Sequence, residues 1–303
     1  MGDSVALFPH RHQHRAVISD PAALDEIFER NYLQIEPYTG LMQAQVRSIF
    51  DRLIEVHDLP GEAIEFGAFA GGLSFFLGLC IRDLGLSKKV LMLDSFEGLP
   101  ATHAELDRAF EAGAMAYPLE KARELRSRFG LDDVVEILPG WFSDTVGRIP
   151  AATRFCLAHV DADLYSSTKT ALECVMPRLV EGGVIVLDDC VFFGDRGVIQ
   201  ATEEVLGAKV HLHLGPRTQG FAFPKGDPKR KRPAPVWRTI EGRRYDISDL
   251  LGRTQYLELV RWECSYYDEH AERYRDYLDL LFEGEESPQS HMITNRIGLI
   301  RRR

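Results

Sequence analysis

The sequence is poor in the features that would place a protein in a membrane, outside the cell or on nucleic acid. No apolar run approaches the roughly 18 residues a membrane-spanning helix needs, and the first residues lack the hydrophobic stretch of a signal peptide. Cysteine is scarce: five in 303 residues (Cys80, Cys156, Cys174, Cys190, Cys264), scattered, odd in number and without a Cys-x-x-Cys spacing. That pattern argues against a disulfide framework or a zinc site and leaves buried or incidental thiols of a reducing cytoplasm, the expected location. Positive charge is also in deficit, with 36 Lys and Arg against 46 Asp and Glu and a net charge of −10. A phosphate backbone favours a basic surface, so nucleic acid is not an expected partner. Neither a phosphate-cradling P-loop nor a Gly-x-Gly-x-x-Gly fingerprint occurs. What is present is ordinary for a soluble globular protein: 45% hydrophobic and 27% charged residues, long enough for one large or two small domains.

Along the chain, His10, His12 and His14 alternate in an Arg-interleaved tract that reads as a flexible tail, having no acidic or cysteine partner nearby. Ser19-Asp20-Pro21 opens a helix, with a capping residue before a proline. An aromatic-rich loop ending in Glu36-Pro37-Tyr38-Thr39 follows. Residues 41–57 then place Leu41, Val46, Ile49, Phe50, Leu53 and Ile54 on one helical face. From 62 to 224, short apolar strands (62–66, 89–94, 133–138, 154–161, 183–188) alternate with helices (72–84, 118–129, 165–179, 196–206). Strands at 210–214 and 220–224 close the series. This alternation predicts an α/β fold, a doubly wound and mostly parallel sheet covered on both faces, in which one of the last two strands runs antiparallel. The basic, proline-rich run from Lys225 to Pro233 reads as a linker or exposed loop. Val260, Tyr267, Tyr274 and Leu281 recur every seven residues, suiting one face of a long helix that packs on the core or forms a dimer seam. The expected organisation is a tail and helical cap over 1–58, a core over 59–225, and a linker with a mainly helical extension over 226–303.

Two acidic pairs carry the most chemical information. Asp161-Ala-Asp163 ends the strand RFCLAHV, and Asp188-Asp189 ends GGVIVL. Ligands of an open α/β sheet bind at the carboxyl ends of its strands. Carboxylates gathered there repel unless a proton or cation intervenes, and an all-oxygen set suits magnesium, manganese or calcium. The bland alternative is that Asp163 caps the helix beginning at Tyr165, although capping does not explain two acidic pairs at the ends of two strands. His159 either serves as an alternative base or sits in the core.

The other half of the crevice begins with Glu65-Phe66-Gly67-Ala68-Phe69-Ala70-Gly71-Gly72. Gly67, Gly71 and Gly72 allow a tight strand-to-helix turn with N–H groups close to a ligand. Glu65 would repel phosphates and favours a cationic or amine-bearing cofactor. Asp94 ends the second strand, where an acid reaches ribose hydroxyls, unless it only caps. Glycines, an acid on strand two and no phosphate motif together point to S-adenosylmethionine rather than a dinucleotide. Gly140-Trp141-Phe142 follows the third strand, where an aromatic packs either on adenine or in the core. Tyr38 and Thr39 either close over the cofactor or are ordinary loop residues.

Taken in order, Glu65–Gly72, Asp94-Ser95-Phe96-Glu97-Gly98-Leu99-Pro100, Leu138–Thr145, Asp161–Thr168 and Asp188-Asp189 resemble the macrocin O-methyltransferase family, enzymes acting on sugars of macrolide and aminocoumarin antibiotics. The resemblance spans about residues 35–224. It implies a class I, Rossmann-like methyltransferase that takes S-adenosylmethionine and Mg2+. Asp161, Asp188 and Asp189 would hold the metal, Asp163 would act as general base, and Ser95 and its neighbours would line the cofactor site. A glycosylated small molecule is the expected acceptor and a homo-oligomer the expected assembly. A catechol-type phenol methyltransferase and a non-catalytic binding protein on the same fold are the rival readings.

Overall fold

Asp20 sets the start of α1 (Pro21–Ile35). Its carboxylate accepts from the N–H groups of Ala22 and Ala23, while Pro21 takes the first position, where no N–H is needed. The structure, a computed structural model, describes residues 17–103, 105–107, 110–189, 196–214, 220–224, 237–240 and 243–246. A single 3-10 turn, Glu36–Tyr38, leads to α2 (Gln43–Glu55), which buries Val46, Ile49, Phe50 and Leu53 as the helical period requires.

The alternating region forms a seven-stranded sheet from β1 (Glu62–Phe66), β2 (Val90–Asp94), β3 (Val135–Pro139), β4 (Phe155–Val160), β5 (Leu179–Leu187), β6 (Val210–Leu214) and β7 (Gly220–Pro224). Their order is β3-β2-β1-β4-β5-β7-β6. The first five are parallel; β7 runs antiparallel to both β5 and β6 and is the one reversed strand of this sheet. Between the strands lie α3 (Gly72–Asp83), α4 (Leu119–Arg128), the single turn α5 (Phe142–Thr145), α6 (Tyr165–Val175) and α7 (Arg196–Val205).

Period-two alternation divides the sheet between two cores. Ala63, Val90, Met92, Leu157, Val184 and Val186 face a cluster fed by α1 to α4. Ile64, Phe66, Leu93, Ala158, Val160, Ile185 and Leu187 face a second cluster with α6 and α7. The expected doubly wound fold is therefore what forms.

Most boundaries shift by one or two residues, and the largest difference is at β5. The helix expected to reach 179 stops at Val175, and Met176-Pro177-Arg178 tightens into a 3-10 turn. β5 then starts at Leu179, ahead of the expected 183. Between the pairs Phe155–Leu179 and Leu157–Val184 its register slips, with Gly182 at φ +79° inside the irregularity. In the C-terminal stretch, expected to be mainly helical, β8 (Trp237–Ile240) and β9 (Arg243–Asp246) pair as an antiparallel hairpin. The heptad positions from Val260 to Leu281, the histidine tract and the basic run lie outside the described residues.

Candidate active site

The sheet reverses its winding between β1 and β4, and the crevice over their carboxyl ends is where such a sheet takes ligands. Backbones approach closely at this point. A Cβ on Gly67 would lie 1.7 Å from the carbonyl oxygen of Asp161, and the residue has φ +85°, so only glycine fits. Around the crevice one non-glycine residue with positive φ follows each of β1, β2, β4 and β5: Phe69 (+52°), Phe96 (+60°), Asp163 (+58°) and Asp189 (+51°). The left-handed region costs L-residues roughly 1–2 kcal/mol each, less for Asp, and such strain gathers at ligand sites.

The two acidic pairs converge as expected. Ligand atoms of Asp161, Asp163 and Asp189 lie within 4.8 Å of one another, as do those of His159, Asp161 and Asp188, so Asp161 belongs to both groups. Asp163 and Asp188 are buried, at 7% and 5% exposure, and Asp161 and Asp189 are half-buried. Burial, followed by the charges of Asp188 and Asp163, pushes the Asp161 carboxyl well above the usual range. Asp163 sits at the centre of a three-residue turn closed by a bond from Leu164 N–H to the Ala162 carbonyl. It does not cap α6 at Tyr165. That N–H goes instead to Asp107, a buried residue from the segment after β2, at 2.9 Å. Asp107 also accepts from His103 N–H, and a Cβ on Gly197 of α7 would collide with it at 2.2 Å.

Behind the acids runs a polar line on the α2–α3 face of the sheet. Glu65 and His159 are register partners on β1 and β4. His159 is fully buried, with Nδ1 3.3 Å from Glu65 and Nε2 3.9 Å from Asp188, at ion-pair spacing without well-formed hydrogen bonds. Burial opposes its charge, but the Asp188 and Glu65 carboxylates outweigh that and push it up to about 10. The other Glu65 oxygen accepts from Ser74 Oγ at 2.5 Å. Both Glu65 oxygens thus face protein partners, and its place is beneath the glycine loop. His159 does sit in the core, between two acids.

The glycine loop is shaped by its neighbours. Gly71 has φ +92° and leaves room for the Phe75 ring; Gly72 admits the Tyr38 carbonyl and Thr39 side chain, 2.5 and 2.7 Å from where its Cβ would stand. The Tyr38–Thr39 segment therefore lies directly on the start of α3. The Tyr38 ring itself packs edge-on against Phe129 and receives a hydrogen bond from Arg128 at 2.8 Å, which makes it an anchor. Thr39 Oγ1 accepts from Leu41 N–H.

Asp94 accepts from Phe69 N–H and Phe96 N–H at 2.8 and 2.7 Å, holding both left-handed loops. Burial raises its carboxyl despite those bonds, and a carboxylate has about four acceptor positions, which leaves capacity for hydroxyl donors. Ser95 is spent on its own loop, donating to the Gly98 carbonyl. After β3, Gly140 has φ +126°, Phe142 stacks edge-on against Phe66, and Trp141 remains half-buried.

Three contributors were not anticipated: Gln45, Ser74 and Asp107. Gln45, on the first turn of α2, donates from Nε2 to both oxygens of Asp188 at 3.1 and 3.2 Å. The signal available in the sequence was a polar residue in the buried part of each apolar strand, Glu65 in EAIEF and His159 in FCLAHV, which calls for buried partners.

Comparison with known proteins places the chain in a family and supports the fold. The curated relatives include a tetracenomycin-C 4'-O-methyltransferase acting on an 8-demethyl-8-(2,3-dimethoxy-alpha-L-rhamnosyl) compound from Streptomyces olivaceus. It is 41% identical over 140 residues, 43% of this chain and 53% of that protein. Mycinamicin III 3''-O-methyltransferase of Micromonospora griseorubida is 32% identical over 142 residues, 43% and 56% of the respective chains. The chain thus spans about half the length of the curated relatives it matches. Among solved structures, the O-methyltransferase NovP superposes with a TM-score of 0.56 at 24% identity, covering 62% of this chain and 82% of NovP. The calicheamicin methyltransferase CalS11 gives 0.53 at 22% identity, covering 75% and 99%. Both establish the fold. The family model described as macrocin-O-methyltransferase matches residues 41–207, more than half of the chain, and the chain belongs to that family.

Proposed function

We propose that this protein is an S-adenosylmethionine- and divalent-cation-dependent O-methyltransferase acting on a sugar hydroxyl of a glycosylated natural product. The observation that carries the reading is the convergence of the two acidic pairs beside the switch point of the sheet, where Asp161 lies within 4.8 Å of Asp163 and Asp189 in one group and of Asp188 and His159 in another. The residues fit a cation. Their donors are hard oxygens, and burial followed by the charges of Asp188 and Asp163 raises the Asp161 carboxyl, a cost that a bound cation would offset. Asp161, Asp188 and Asp189 would hold Mg2+, which would supply the positive charge that acidifies a poorly nucleophilic hydroxyl. Asp163, next to Asp161 and Asp189, is the proton acceptor.

S-adenosylmethionine would supply the methyl group. Asp94 suits its ribose hydroxyls, the loop of Gly67, Gly71 and Gly72 its chain, and Gly140-Trp141 its adenine. These residues contribute mainly alignment of oxygen, methyl carbon and sulfur, which is where much of a transfer enzyme's rate enhancement comes from. The acceptor class rests on the sugar O-methyltransferases among the relatives.

Calorimetric titration with S-adenosylmethionine, then with Mg2+ with and without chelator, tests the reading. Near-stoichiometric binding of both is expected. Cofactor binding that no metal or chelator alters would remove the cation from the proposal, and no cofactor binding would remove the activity. A screen in which catechols turn over and glycosides do not would reassign the acceptor.

A further inference from the structure

Gln45 does two jobs with one amide. Its Oε1 accepts from Met42 N–H at 3.1 Å, the side-chain-to-backbone half of a capping box at the start of α2. Its Nε2 donates to both oxygens of Asp188. The partners fix which way the amide points, since a backbone N–H needs the oxygen and a carboxylate needs the nitrogen. The side chain is 7% exposed, so neither bond is shared with bulk water. For capping alone, Glu would serve equally and is a common residue at this position. What Gln adds is the NH2 group, and that group is directed at Asp188.

Asp188 is held from other sides as well. Asp189 N–H donates to its Oδ1 at 3.0 Å, and the His159 ring stands 3.9 Å from Oδ2. The chain that carries Gln45 also lays Tyr38 and Thr39 on Gly72 at the cofactor loop. One short stretch of the N-terminal cap therefore touches both halves of the crevice.

We propose that Gln45 is a positioning residue for Asp188, which makes the start of α2 a functional part of the cation site. The inference rests on the reading of Asp188 as a ligand. Outer hydrogen-bond partners of metal ligands typically govern affinity or activity by about 10–100-fold. The variant Gln45→Glu can still accept from Met42 N–H but presents a like charge to Asp188, whereas Gln45→Met loses both bonds.

The experiment measures Mn2+ binding to the free protein by electron paramagnetic resonance, kcat and KM, S-adenosylmethionine affinity, and the thermal midpoint. Gln45→Glu is expected to keep wild-type cofactor affinity while weakening Mn2+ and lowering kcat by about tenfold or more, with a midpoint lowered by the like charge set against Asp188. Gln45→Met is expected to show the same losses with a lower midpoint. If Gln45→Glu binds Mn2+ as tightly as wild type or tighter and turns over normally, Gln45 is a helix cap only and the proposal is wrong. If the wild-type protein binds no Mn2+, the cation reading itself falls and takes this inference with it.

Discussion

The same strands meet two different environments at their ends. At the amino ends, charge is settled locally. Lys88, nearly buried, donates to the carbonyls of Leu59 and Gly61 at 2.5 and 3.2 Å, and Glu62 accepts from Lys89 N–H. At the carboxyl ends, four carboxylates crowd together and four non-glycine residues adopt left-handed backbone. Like charges gathered at one edge of the sheet, together with left-handed backbone, are the features that cluster at ligand sites.

The largest effect that would sharpen this contrast comes from Asp163→Asn. Asn tolerates the left-handed backbone about as well as Asp, so only charge and basicity change. Turnover should fall by about 10²–10⁴-fold, while the thermal midpoint of the metal-free protein rises because Asp161 loses a like-charged neighbour. Unchanged turnover would remove Asp163 as the base.

Gly67→Ala comes next. A methyl group 1.7 Å from the Asp161 carbonyl at φ +85° should destabilise the fold by on the order of 3 kcal/mol or more. A denaturant midpoint close to wild type would mean that the β1–β4 junction yields more readily than its packing indicates.

The third prediction concerns pH. His159 is raised from an ordinary value to about 10, so the folded state holds a proton that the unfolded chain releases above about pH 6.5. Its contribution is complete below that point and is lost as pH rises through about 10; Asp161, also raised, acts in the same direction at lower pH. Thermal melts between pH 7 and pH 10 should show declining stability, with a shallower decline in His159→Gln. Equal slopes would show that His159 is not the source.

Lys88→Met, at the settled edge, is the smallest. Leaving two carbonyls short of a donor should cost about 1–3 kcal/mol, with turnover per folded molecule unchanged. A lowered turnover would show that the two edges are coupled.

Much of the carboxyl edge was readable in advance because it is written in contiguous motifs. Gly67, Asp94, Asp161, Asp163, Asp188 and Asp189 each end or follow an apolar run, and strand periodicity places them. What escaped was non-local. Gln45 and Asp188 lie 143 residues apart, and Gln45 reads simply as a first-turn residue of an amphipathic helix. Ser74 is one polar residue in an apolar helix, and its link to Glu65 needs the pairing of β1 with α3. For Tyr38 and Phe142 the sequence leaves two placements open, because an aromatic beside a glycine loop does not announce which way its ring turns; both rings turn to protein neighbours. The early start of β5 escaped because the sequence up to 179 reads as helix, and only the pairing of Leu179 with Phe155 shows the strand beginning there.

The cap on α6 has a consequence for the order of assembly. The first N–H of that helix is satisfied by Asp107, 58 residues upstream, and the turn that presents Asp163 immediately precedes it. The helix has no side-chain cap of its own. Its first turn therefore reaches its final form only after a long loop has closed, with the entropy cost that closure carries. The acidic turn thus depends on a tertiary contact at the start of the helix that follows it, and the segment around Asp107 supports the site from 58 residues away.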